Sequence, residues 1–197
     1  MNDADAVLAE TRAWVERAVI GLRLCPFASA AQRGGRVRYV VSGSEDGESL
    51  LADFIAELKR LVDSVPDELE TTLLVHPRVF ADFLDFNDFL DIAEAAIAEL
   101  DLDGVVQIAT FHPDYRFADT DADDIANATN RSPHPILQLL REESIERALA
   151  NVARPDAIFE ANIETLRRLG ASGWATLRRR CRVDAGIEPP GAEDVDP

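Results

Sequence analysis

The sequence predicts an α/β fold: a small, about three-stranded sheet, parallel by its connections, flanked by helices and followed by a C-terminal helical extension. Three observations carry this. Short runs rich in β-branched residues, "VRYVV" (37–41), "TTLLV" (71–75) and "GVVQIATF" (104–111), read as strands. The stretches between them place apolar residues at helical spacing. Strands separated by helices are normally joined by right-handed crossovers and run parallel.

The elements follow in order. Val7, Leu8, Thr11, Trp14, Val15, Ala18, Val19 and Leu22 lie on one face of a helix over 6–22. "LCPFASAAQ" opens a short helix with Pro26 at its first position, and Gly34–Gly35 ends it. After the first strand, "SGSEDG" is a loop with capping residues, and Leu50, Leu51, Phe54, Ile55, Leu58, Leu61 and Val62 mark a helix over 48–63. His76-Pro77 stops the second strand. A helical region over about 78–100 carries Phe80, Phe83, Phe86 and Phe89 three apart, a spacing that reads as core. His112-Pro113 stops the third strand. Beyond a long polar segment, "ILQLLREESIERALA" and "DAIFEANIETLRRLG" read as two helices, the second continuing through Trp174 and Leu177. Residues 1–183 form one domain in this reading, and the Pro-rich acidic tail 184–197 is expected to be disordered.

Composition excludes several classes. A chain of 197 residues suits one sizeable core, and 47% hydrophobic with 29% charged residues is a globular balance. No stretch approaches the roughly 18 apolar residues of a membrane span. The acidic, amphipathic N-terminus lacks the basic-then-apolar order of a secretory signal. Cys25 and Cys181 lie far apart in no metal-type spacing, so the expectation is a cytoplasmic protein with reduced thiols. A net charge of −17 argues against nucleic acid as a partner, and "LRRRCR" (177–182) reads as cations at a helix C-terminus. With 19 arginines to one lysine, Lys59, an arginine here is weaker evidence of function than usual.

The polar segment 110–135, "TFHPDYRFADTDADDIANATNRSPHP", draws attention because a connection of that length without secondary structure is uncommon unless functional or disordered. Tyr115, Phe117 and Ile125 can pin it, and Pro113, Pro133 and Pro135 stiffen its ends, so an ordered loop is expected. His112 with Asp114 two residues on is a pairing that suits a general base or a metal ligand; the alternative is a histidine bonded to the loop's own backbone. "DTDADD" (119–124) has calcium-like spacing, but Asp124 stands where the loop glycine belongs and Asn130 where the closing glutamate belongs, so it reads as a solvated acidic turn. In "NRSPHP" (130–135), Ser132 or His134 at the start of the next helix would gather free N–H groups with Arg131 into an anion site, against the plainer reading of a cap with a paired arginine. Cys25, before Pro26, would sit at a helix N-cap where the dipole favours thiolate; ordinary burial beside Leu24 and Phe27 is the alternative.

"WVERAVIGLRLCPFA" (14–28), "FHPDYRFA" (111–118), "NATNRSPHP" (127–135) and "LLREESIERAL" (139–149) together resemble the bacterial domain-of-unknown-function family 1415, over about residues 10–170. The resemblance implies that Cys25-Pro26, His112-Pro113-Asp114-Tyr115 and Asn130-Arg131-Ser132-Pro133 are shared signatures, and it supplies no chemistry. One departure concerns Gln138, where the family pattern is associated with a histidine; a required metal ligand or acid–base group at that position is therefore disfavoured.

Two classes of function follow. In the first, the favoured one, the protein is an enzyme acting on a small anionic molecule, with Cys25 as nucleophile, His112 as its base and Asp114 orienting the imidazole. Tyr115, Asn130, Arg131, Ser132 and His134 would bind the substrate, and no cofactor is called for. A metallic variant would use His112 and Asp114 with His76, and Cys25 as a fourth ligand. In the second class the loop is the recognition surface of a non-catalytic ligand- or protein-binding module. The sequence sets no oligomeric state.

Overall fold

The computed structural model describes residues 3–150, 154 and 157–188. Helix α1 (Asp3–Trp14) buries Val7, Thr11 and Trp14 along one stripe. It runs directly into a π-helical segment, Val15–Ile20. There the Gly21 N–H reaches back five residues to the Glu16 carbonyl at 3.0 Å, so the helix widens just before Cys25. Helix α2 (Ala28–Arg33) turns through Gly34 and Gly35, the latter at φ 68°, into strand β1 (Val37–Val41).

Helix α3 (Gly47–Asp63) begins where the Asp46 carboxylate accepts the Ser49 N–H at 2.7 Å. Strand β2 (Thr71–Val75), buried at every position, follows. Helix α4 (Phe83–Glu99) starts later than the sequence suggests, because Asp82 caps it and Phe80 sits in a turn at φ 58°. Strand β3 (Val106–Phe111) then leads into the long loop, which holds one 3-10 turn at Ile125–Thr129.

The sheet departs from expectation here. It has four strands, not about three, and it is mixed rather than parallel, in the order β1-β2-β4-β3. Residues 136–141, expected as the start of a helix, form strand β4 (Ile136–Arg141), antiparallel to both neighbours. Pro133 and Pro135 hold the approach extended, and five residues of "ILQLL" are too few for their apolar pattern to distinguish strand from helix. The helical reading of this stretch holds only from Glu142, in α5 (Glu142–Leu149). Helix α6 (Ala157–Asp184) completes the fold and kinks at Gly170, φ 71°. It extends the expected C-terminal helix through Trp174 and Leu177. Residues 184–188, placed by the sequence reading in the tail, finish α6 and its closing turn, with Ile187 N–H on the Arg182 carbonyl at 2.9 Å and Arg17 paired to Asp184. Residues 189–197 of that tail lie outside the described residues.

Helices cover both faces of the sheet. On one face Leu74, Leu137, Leu139 and Val106 pack with Leu50, Phe54, Leu58 and Leu61 of α3 and Phe86 and Phe89 of α4. The phenylalanine row is thus core, with Phe80 and Phe83 half-buried at its edge. On the other face Leu73, Val75 and Ile136 meet Trp14, Val15 and Ala18 and the α6 residues Leu166 and Trp174. Buried Arg141 ties the layers by donating to the carbonyls of Leu61, Ser64 and Leu69 at the end of α3 and the approach to β2. Among the described residues no helix is long and apolar enough to cross a membrane.

Candidate functional site

β2 and β3 run in the same direction on either side of β4, so the two His-Pro stops lie on one sheet edge even though their strands are not neighbours. Both imidazoles are almost fully buried, and the Phe86 ring packs against each, 5.3 Å from His76 and 5.5 Å from His112 between centroids. His112 is engaged at both nitrogens. Its Nδ1 accepts the backbone N–H of Asp114 at 3.0 Å, so Nε2 carries the hydrogen and donates to the Phe80 carbonyl at 3.1 Å. What meets the ring is therefore the Asp114 backbone, while the Asp114 carboxylate acts on it only through charge. Burial lowers the His112 pKa. His76 donates from Nδ1 to the Val79 carbonyl at 3.1 Å, its Nε2 has no partner, and burial pushes its pKa down to about 4. These two residues lock the ends of β2 and β3 to the turn that starts α4.

The loop is ordered by its own polar groups. Asn127, fully buried, accepts from Phe117 N–H at 3.1 Å and Thr120 Oγ1 at 2.7 Å, and donates to the Asp121 carbonyl at 2.8 Å. Arg131 donates to the carbonyls of Tyr115 at 3.1 Å and Ala122 at 2.6 Å. Tyr115 packs between Phe83, tilted, and Phe117, edge-on, with each ring centroid 5.1 Å away. His134 meets the buried Glu10 carboxylate at 3.1 Å, and Ser132 Oγ donates to the His134 carbonyl. The anion site expected at a helix N-terminus around Ser132 is absent for a simple reason: a strand follows, and the Ser132 N–H is spent on the His112 carbonyl at 3.4 Å. Among the described residues no group of three or more His, Cys, Asp or Glu side chains is placed to hold a metal ion, so His76, His112, Asp114 and Cys25 do not form a ligand set.

A concave feature lies on the other sheet face. A cavity of about 380 Å³ is floored by Leu73, Gln138 and Ala109, which sit side by side on β2, β4 and β3. The π-helical segment contributes Val15 and Val19, α5 contributes Ser144 and Ile145, and α6 contributes Asn162. Of the residues singled out from the sequence, Cys25 and Asn130 line it; His112, Asp114, Tyr115, Arg131, Ser132 and His134 do not. Cys25 precedes α2 rather than capping it, since Phe27 holds the N-cap position. The N–H groups of Phe27 and Ala28 favour its thiolate, but burial outweighs them and raises the thiol pKa above its ordinary value. Gln107, Gln138, Ser144 and Asn162 were not indicated as site residues by the sequence. A signal did exist for two of them, since Gln107 and Gln138 are lone polar residues inside otherwise apolar strands.

Searches of curated proteins and of solved structures return no match. The family comparison agrees with the four motifs: the model described as "Protein of unknown function (DUF1415)" matches residues 6–176, and the chain belongs to that family.

Proposed function

We propose that the protein binds a small, mostly apolar molecule in the cavity on the Leu73–Gln138–Ala109 floor, with the Cys25 thiol in its wall. The observation that supports this reading is the cavity's make-up: a concave, largely apolar lining with a few fixed polar groups is the usual form of a small-molecule site. The Cys25–His112–Asp114 relay is not part of it, because both His112 nitrogens are occupied by backbone and the ring is not on the cavity wall. A catalytic use of the same cavity, with Cys25 as nucleophile, is favoured by the two N–H groups directed at its sulfur and opposed by burial.

The test uses benzofuran, a neutral apolar probe that fits the volume, in a Cys181→Ser background. Binding should slow N-ethylmaleimide modification of Cys25 and raise the thermal midpoint in proportion to the logarithm of probe concentration. Ala109→Phe, which fills the floor, should abolish both effects. Unchanged Cys25 kinetics at saturating probe in the parent protein would overturn the reading.

A further inference from the structure

The cavity's polar groups carry a directional preference. Four side-chain amides line it, those of Gln107, Asn130, Gln138 and Asn162, and the last three are each held in one orientation by an N–H bond within the protein. Asn130 Nδ2 donates to the Thr110 carbonyl at 3.0 Å, and Asn162 Nδ2 donates to the Leu24 carbonyl at 2.8 Å. Backbone carbonyls only accept, so neither amide can be reversed. Gln138 is fixed by a two-step chain: Thr71 Oγ1 gives its one hydrogen to the Leu139 carbonyl at 2.7 Å, so its contact with Gln138 at 3.0 Å must be an N–H it receives. What the bonds fix at these three positions is the placement of the carbonyl oxygens, which stand as oriented acceptors beside one remaining N–H each; Gln107 is not locked in this way. Beside them Ser144, 8% exposed, has a buried Oγ with no partner, a state that normally calls for an explanation. Among the described residues Glu70 is the sole charged group on the wall; its carboxylate is held by Arg36 at 3.0 Å.

Resting on the cavity reading above, we infer that the ligand is a hydrogen-bond donor: a compact apolar body bearing N–H or O–H groups and no negative charge. The locked amides accept its hydrogens, the Ser144 hydroxyl completes the set, and the apolar walls take up the rest. An anionic ligand would face fixed amide oxygens and the Arg36-paired carboxylate of Glu70, with no cation among the described wall residues, in a protein of net charge −17. This ligand class differs from the anionic substrate expected from the loop motifs.

Two bicyclic molecules of nearly equal shape, indole and benzofuran, differ by an N–H for an oxygen and isolate the donor. Titration calorimetry with the Cys181→Ser protein should show indole binding about 3- to 10-fold more tightly than benzofuran. Indole-3-carboxylate should bind more weakly than either. Gln138→Leu should remove most of indole's advantage while leaving benzofuran affinity within about twofold; Ser144→Ala, which leaves the sheet untouched, is a second variant with a smaller effect in the same direction. Equal affinities for indole and benzofuran, or tightest binding by the carboxylate, would overturn the donor inference while leaving the cavity reading standing. Failure of all three to bind or to shield Cys25 would remove both.

Discussion

Replacing His112 separates a structural histidine from a catalytic one. Its imidazole satisfies one buried N–H and one buried carbonyl, at 3.0 and 3.1 Å, and packs 5.5 Å from the rings of Phe83 and Phe86. His112→Phe keeps an aromatic ring in the stack but leaves the Asp114 N–H and the Phe80 carbonyl without partners, a loss of about 2–3 kcal/mol. His112→Ala also removes the ring contacts and opens a void, for a total of about 3–5 kcal/mol. In a chain of this size that corresponds to a fall in the thermal midpoint of roughly 10 °C. Urea unfolding is the assay: the midpoint should move while the slope stays constant, and Cys25 alkylation in the folded His112→Phe protein should keep its parent pH profile. The opposite pattern, parent stability with a shifted Cys25 profile, would refute the structural assignment and restore the Cys25–His112 relay.

Other outcomes follow from the same geometry. His76 has a folded-state pKa of about 4 against an unfolded value near 6.5, so the native state binds fewer protons between those limits. Stability should be complete above about pH 6.5 and fall by up to about 3 kcal/mol as pH drops toward 4, and His76→Leu should flatten that slope in a series of thermal melts. Arg141→Met strips donors from three carbonyls and should lower the unfolding free energy read from urea titration by about 3 kcal/mol; Arg141→Lys should recover little, since one ammonium cannot span the three acceptors. Cys25, raised by burial, should show iodoacetamide kinetics with an apparent pKa above the 9.0 of an ordinary thiol when Cys181 is serine. A value well below 8.5 would instead mark an activated nucleophile.

Much of the architecture was written in local pattern. The first three strands, the helix after "SGSEDG" and the core role of the phenylalanine row all follow from period and capping, because burying one face is a requirement that each segment states for itself. The two His-Pro stops were legible too, and the mixed sheet brings them to one edge by a route the parallel sheet expected from the sequence did not contain. The loop's order was legible from its prolines, aromatics and turn formers. The engagement of Arg131 was not legible, since nothing local distinguishes an arginine free to meet a ligand from one that, like Arg131, donates to two carbonyls of its own loop.

By itself, then, the sequence determined the α/β class, most of the helix and strand periods, and the membership that four ordered motifs signalled. Tertiary structure decided that "ILQLLR" is a strand, because only a vacancy between β2 and β3 makes an extended conformation pay for a segment equally able to be a helix. It also decided which polar groups remain unsatisfied. His112, Arg131 and Ser132 found backbone partners, whereas the amides of Gln138, Asn130 and Asn162 were fixed in orientation by N–H bonds to Thr71, Thr110 and Leu24, residues 20 to 138 positions away in the chain. A hydrogen bond is completed in space, so the side chains left over for a ligand are known only once every other partner has been placed.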